Sequence, residues 1–107
     1  MQLIDDHKKD LITLCKKHKV KELFVFGSVL SNRFKRGSDI DFLVRFEEVN
    51  LMDYFDNYMD FKESLEKLFN REVDLVEVQT VKNPILERTI NRNKTLIYER
   101  KDSEMAI

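Results

Sequence analysis

Asp39 and Asp41 stand two positions apart in the stretch SDIDFLVRF, residues 38–46. On an extended strand such a pair projects to the same side, so both carboxylates can reach one hard cation. Left without a cation they repel, and one tends to keep its proton. A divalent ion removes the repulsion. Magnesium suits the pair, because it binds through one or two carboxylates together with substrate phosphates. The plainer alternative is a solvated strand face, which sits badly with the depletion of aspartate in strands. Asp74 repeats the setting in EVDLVEV, residues 72–78, an acid among apolar β-branched neighbours. Three carboxylates on adjacent strands can hold two metal ions roughly 3.5–4 Å apart, the arrangement that serves in-line displacement at phosphorus. Asp74 is then the candidate acid beside an attacking hydroxyl.

A phosphate partner for such a metal site is suggested upstream. Gly27-Ser28 closes the run KELFVF, residues 21–26, and Gly27 and Gly37 are the only glycines in the chain. Glycine at a strand end permits a sharp turn and close approach of another group. A helix starting there would point unpaired N–H groups at an anion, and Ser28 adds a hydroxyl donor. A Gly-Ser pair alone is also an ordinary turn. Arg33, Lys35 and Arg36 follow on the same short stretch. They can neutralise phosphate charge, or they form a solvated basic loop.

Placing these residues requires a set of elements that the hydrophobic periodicity supplies. Ile4, Leu11, Leu14, Cys15 and His18 recur at helical spacing, which predicts one amphipathic helix over residues 3–19. Strands are predicted over 21–26, 38–46 and 72–78, with a short helix or loop between Val29 and Gly37. In the second strand, Asp39, Asp41, Leu43 and Arg45 share one face, and Ile40, Phe42, Val44 and Phe46 the other. The longest helix runs from Leu51 to Phe69, with Met52, Phe55, Tyr58, Met59, Leu65, Leu68 and Phe69 at helical spacing. Asn70-Arg71 turns the chain. Asn83-Pro84 opens a short helix to about Asn91, Thr95–Tyr98 forms a last short strand, and the tail from about residue 100 frays. The order implies an α/β (α+β) fold, a small mixed β-sheet with helices packed on it. The second and third strands, joined through the long helix, are expected to be parallel.

Size and composition narrow the function. A chain of 107 residues is one domain. It is 42% hydrophobic and 36% charged, too apolar for a disordered chain. The formal net charge of −1 gives no basic field for nucleic acid, so polyphosphate must be bound locally. The single cysteine, Cys15, can form neither an internal disulfide nor a thiolate zinc cluster, and reads as a small buried apolar side chain. His7 and His18 lie about 16 Å apart along a helix, too far to share a metal. No apolar run reaches membrane-spanning length and the N-terminus lacks a signal-peptide core, so a cytoplasmic protein is expected.

Gly27-Ser28, ten residues, Asp39-Ile40-Asp41, an apolar strand and a later Asp74 together resemble the signature of the minimal nucleotidyltransferases of the DNA polymerase beta-like superfamily. The likeness extends from about Lys21 to Tyr98. It implies a mixed sheet of few strands, with Gly27 and Ser28 as the phosphate-binding turn and Asp39, Asp41 and Asp74 as magnesium ligands. One feature departs from the family pattern: Ser31 stands where an arginine is common. Arg33, Lys35 or Arg36 would then have to reach back to the triphosphate.

The implied reaction is attack of a hydroxyl on the α-phosphorus of a nucleoside triphosphate, ATP by family expectation, with loss of pyrophosphate. Relatives that act on polymers or antibiotics carry a second domain for the acceptor, and this chain has no room for one. Stand-alone members often pair with a small helical HEPN-type toxin, whose tyrosine the antitoxin adenylylates. The resemblance implies that role here. Apolar residues Tyr54, Phe55, Tyr58, Met59 and Phe61 spread far around the long helix, so some can serve a partner surface rather than the core. Two alternatives stay open: a non-catalytic nucleotide-binding module that blocks its partner by docking, and a small-molecule nucleotidyltransferase acting as a homodimer. The third acid, Asp74, favours catalysis.

Overall fold

Residues 2–26, 39–78, 84–85, 88 and 94–100 are described by a computed structural model of the chain. The N-terminal segment forms two helices, α1 (Gln2–Asp6) and α2 (Lys8–Lys17). A continuous helix was expected over 3–19, and the break falls at His7. No proline or glycine marks it in the sequence. The His7 ring lies 5.1 Å from that of Phe69, and its Nδ1 is 2.9 Å from the Leu3 carbonyl oxygen. A tertiary contact thus accompanies a bend that local spacing does not reveal.

Four strands follow: β1 (Val20–Phe26), β2 (Ile40–Phe46), β3 (Val73–Glu77) and β4 (Thr95–Glu99), with helix α3 (Leu51–Phe69) between β2 and β3. The sheet order is β3-β2-β1-β4. β1 is antiparallel to both β2 and β4, and β2 and β3 are parallel, as the long crossover helix requires. The mixed sheet and its strands therefore match expectation, with β1 starting one residue earlier than the aromatic run suggests. Pro84, Ile85 and Arg88 are helical, in keeping with the short helix expected there. The rest of that helix, the segment 29–37 and the tail beyond Arg100 lie outside the described residues.

One sheet face is the core. Ile40, Phe42, Val44 and Phe46 are buried there with Leu23 and Val25 of β1 and Val73 and Leu75 of β3. Leu11, Cys15, Phe61, Leu65 and Phe69 cover them from the helices. Phe46 is ringed by Tyr54, Tyr58 and Phe61 at 5.7, 6.5 and 6.0 Å between centroids. Truncating the fully buried Phe42 or Phe61 to alanine should cost about 3–5 kcal/mol. α2 is tied to α3 by His18, whose ring bridges the Leu14 carbonyl at 2.8 Å and the Asp60 carboxylate at 2.9 Å. Asn57 donates to the His18 carbonyl at 2.8 Å. Asn50 caps α3 by accepting from the Met52 N–H, and Asn70 ends it at φ 53°, a left-handed conformation that asparagine tolerates.

The periodicity of α3 places Met52 and Phe55 with the apolar positions, but they are 84% and 68% exposed. Core contact begins deeper, with Tyr54 and Tyr58 partly buried and Phe61 fully so. The first turn of α3 lies where β2 ends, and the sheet there offers Phe46 to Tyr54 and Tyr58 rather than to Met52 or Phe55.

Side chains of α3 also seal the free edge of β3. The Ile40 N–H donates to the Glu72 carbonyl, so residues 72, 74 and 76 direct their backbone groups to β2, and 73, 75 and 77 direct theirs outward. The outward Val73 N–H donates to the Glu66 carboxylate at 3.2 Å. The outward Leu75 carbonyl accepts from the Tyr58 hydroxyl. An edge occupied in this way is a poor template for strand addition. Among the described residues no helix is long and apolar enough to cross a membrane.

Candidate active site

Asp41 stands directly opposite Asp74 in the parallel β2–β3 register. In-register neighbours on adjacent strands share a face, and this is the face turned away from α2 and α3. Asp39 precedes β2 by one residue, two positions from Asp41, so the alternation carries it to the same side. Asp39 and Asp74 are exposed and Asp41 is half-buried. The arrangement is a consequence of β-structure: Ile40 and Phe42 must face the core, so the acids between and beside them cannot.

The three carboxylates feel one another. Burial raises the Asp41 carboxyl above the usual aspartate range, and the charges of Asp74 and Asp39 raise it further. Among the described residues no basic side chain is paired with any of the three. Arg45 shares their face but lies four residues along β2 from Asp41, about 13 Å, and is engaged by Glu22 at 2.9 Å. Among the described residues, too, no three acidic, histidine or cysteine side chains are drawn to the spacing of a closed metal cage. Like charges with no cation between them are expected to stand apart. Their donor atoms are all carboxylate oxygens, the set a hard ion such as magnesium takes. Softer ligands are elsewhere: Cys15 is buried in the core with its thiol pushed up to about 12 by burial, and His18 is bonded between helices.

The last β1 residue, Phe26, pairs with Asp41, so the C-terminal end of β1 lies beside the acids. Gly27, Ser28, Arg33, Lys35 and Arg36 themselves lie outside the described residues. The structure thus puts Asp39, Asp41 and Asp74 on one face at one end of the sheet, without drawing them to the spacing of metal ligands.

Two residues packed along β3 were not singled out for chemistry by the sequence. Burial raises the Tyr58 hydroxyl above the usual tyrosine range and the Asp74 charge adds to it. Glu77 is a buried acid of β3, 8% exposed, at the opposite end of the strand from Asp74. It hydrogen-bonds Tyr54, whose hydroxyl is pushed up to about 12 by burial, then by the charge of Glu77. Both line a cleft of about 490 Å³ with Lys21, Arg45, Glu47 and Glu48. A second acid within the apolar strand VDLVE, three residues after Asp74 and so on the opposite, core-facing side, was the signal for Glu77.

Residues 9–103 match the family described as "Polymerase beta, Nucleotidyltransferase". A Methanocaldococcus jannaschii protein provisionally named a protein adenylyltransferase is 35% identical over 97 residues, 91% of each chain. The protein adenylyltransferase MntA of Thermococcus cleftensis is 34% identical over 88 residues, 82% of this chain and 83% of its own. Among solved structures, one provisionally described as a minimal nucleotidyltransferase superposes with a TM-score of 0.72 at 28% identity, covering 88% of this chain and 92% of that one. An MNT antitoxin complex with a tri-AMPylated HEPN toxin from Shewanella oneidensis contains a chain that superposes at 0.64 and 16% identity, over 99% of this chain and 79% of that one. At that identity the likeness is one of fold.

Proposed function

This chain belongs to the polymerase beta nucleotidyltransferase family, and from that premise we propose that it transfers an AMP group from ATP to a tyrosine hydroxyl of a HEPN-type partner, which it thereby restrains as an antitoxin. It is a nucleotidyltransferase by family and by its relatives. The observation that carries the site assignment is the Asp41–Asp74 register, which sets a third acid on the same face as the Asp39–Asp41 pair. Binding of a metal–triphosphate needs mainly that pair. A third acid is needed where a hydroxyl must be activated.

Asp39, Asp41 and Asp74 would hold two magnesium ions, which when bound neutralise phosphate charge and polarise the attacking hydroxyl. In the transfer, the acceptor oxygen forms a bond to the α-phosphorus and the bond from that phosphorus to the β-bridging oxygen breaks. Pyrophosphate leaves with the bonding pair, and Asp74 takes the acceptor proton. Gly27 and Ser28 would bind the triphosphate through N–H and O–H donors, and Arg33, Lys35 and Arg36 would neutralise it in place of the absent arginine at position 31. The protein's share is positioning and charge neutralisation.

A protein acceptor is supported by the names of the relatives, and a HEPN acceptor by the fold neighbour's complex. The test is incubation with ATP labelled at the α-phosphate, magnesium and a co-purified HEPN-type partner. Label is expected on the partner, with the main site at tyrosine, and should be lost in Asp39→Ala or Asp41→Ala. A tight complex with no label in the unaltered protein would instead make the chain a docking module.

A further inference from the structure

The first turn of α3 presents an apolar surface with no core to cover. Leu51, Met52 and Phe55 are 86%, 84% and 68% exposed. At spacings of three and four residues they form one patch on the helix surface. Single exposed apolar side chains need no explanation, but three adjoining large ones mark a contact surface. From Phe55 the patch continues into an apolar groove of about 390 Å³ along β3, lined by Tyr58, Leu75 and Val76 among others. The groove follows residues 75–77 of β3 and ends at Leu75, the strand neighbour of Asp74, whose own side chain lies on the other face of the sheet. Asp74 and Glu77 span three strand residues, about 10 Å.

Charge says what the patch can meet. From Glu47 to Phe61 the chain carries five carboxylates and no lysine, arginine or histidine. Glu47 is engaged by Arg100 and Asp60 by His18. Glu48, Asp53 and Asp56 are exposed around the apolar residues. A second copy docked patch to patch would set acids against acids in a self-complementary interface. Nucleic acid is repelled by the same rim.

We propose that Leu51, Met52 and Phe55, rimmed by Glu48, Asp53 and Asp56, form the docking surface for the acceptor protein, through an apolar patch on that protein bordered by lysine or arginine. The inference rests on the reading of the acceptor as a protein. Docking there sets the acceptor against the outer edge of β3, the strand that carries Asp74, so the patch would hold the acceptor close to the third acid.

The probe is a HEPN-type protein of the same genome, purified and titrated against the full chain by calorimetry, with α-labelled ATP transfer followed in parallel. The Leu51→Ser/Phe55→Ser variant should bind about 10-fold more weakly or worse. Labelling of the partner should fall alike at low partner concentration and recover in excess partner, with magnesium–ATP binding and circular dichroism unchanged. Asp53→Asn/Asp56→Asn, which leaves the apolar residues in place, should weaken binding about 3-fold and flatten its salt dependence. Asp39→Ala should abolish label while leaving the complex intact. If the unaltered chain forms the complex but gives no label, the transfer reading fails and the docking surface stands. Full affinity and labelling in the Leu51→Ser/Phe55→Ser variant would overturn the surface and leave the transfer reading. It is overturned equally if the unaltered chain does not bind the probe, or if it dimerises through these residues while their substitution spares partner affinity.

Discussion

At one end of the sheet Asp41 faces Asp74 with Asp39 beside them, and among the described residues no cation answers them. At the other end the acids are engaged: Glu22 by Arg45, Glu47 by Arg100, and Glu77 by the Tyr54 hydroxyl. Both ends lie on the same strands and are built from the same residue types. The difference is that one end satisfies its charge from within the fold, while the other holds it in a form that costs stability until something positive arrives. Acids of the first kind maintain structure, and acids of the second kind are what the proposed metal–triphosphate site would draw on.

The strongest way to break this contrast is Asp41→Asn. Transfer should fall about 100-fold or more, as when a charge-stabilising group is removed from a reacting phosphoryl centre. The metal-free protein should be no less stable at neutral pH, because the substitution relieves repulsion. The pH dependence carries the same sign. The folded-state carboxyl of Asp41 lies above its unfolded value. Its contribution is therefore fully present below about pH 4 and is lost as pH rises through the raised value. In EDTA, the melting temperature of the unaltered chain should decline over that rise relative to Asp41→Asn. Magnesium should restore it selectively in the unaltered chain. Identical pH profiles for the two proteins, with and without magnesium, would remove the distinction between the ends.

The mirror experiment is at the far end. Glu77→Ala should destabilise by about 1–3 kcal/mol in urea denaturation, because it leaves the half-buried Tyr54 hydroxyl without its partner. Magnesium should not alter that loss. A stabilising or neutral Glu77→Ala would place Glu77 with the binding acids rather than the structural ones.

Both acid groups have a sequence signature, but only one was read for function. Asp39, Asp41 and Asp74 were legible because an acid in an apolar strand needs a reason, and because the long helix between the second and third strands demands a parallel pair. Strand period then settles the shared face of Asp39 and Asp41. That Asp74 falls opposite Asp41, rather than one residue off, depends on register, which is set by how Phe42 and Leu75 pack together under α3. The break at His7 was hidden because Leu11, Leu14 and Cys15 keep a helical beat on its far side, and the contact that accompanies the bend is with Phe69, distant in the chain. Met52 and Phe55 keep the beat of α3 as well. Periodicity identifies which residues share a helix face and not how far along the helix the sheet extends.

Tyr58 tests the edge between the two ends. Its hydroxyl holds the outward Leu75 carbonyl, one residue from Asp74. Tyr58→Phe keeps the ring against Phe46 and removes only that bond, so the expected loss is about 1 kcal/mol. Transfer should change little, since the hydroxyl bonds the outward edge and not the face that carries the acids. A loss of transfer as large as that of Asp41→Asn, with stability intact, would move Tyr58 into the reacting centre.

The smallest effect is the most exacting test of what pairing means here. Glu22 and Arg45 face each other across β1 and β2 at 2.9 Å, with side chains 27% and 42% exposed. Water and salt screen such a pair, and holding two long side chains in place costs entropy. A double-mutant cycle of Glu22→Gln and Arg45→Gln should give a coupling of about 0.5 kcal/mol or less, shrinking further in high salt. The value of the pair then lies less in stability than in placement: it holds the nearest described guanidinium of β2 at the far end of the face. Releasing it gives that statement a readout. In Glu22→Gln, Arg45 is freed on the face that carries Asp41, but a separation of about 13 Å along the strand keeps it from replacing a metal ion. Magnesium dependence of stability should therefore stay as in the unaltered chain. If it weakened in Glu22→Gln, the cation-free state of the three aspartates would depend on what Glu22 holds back, and not on the strand geometry that separates them from Arg45.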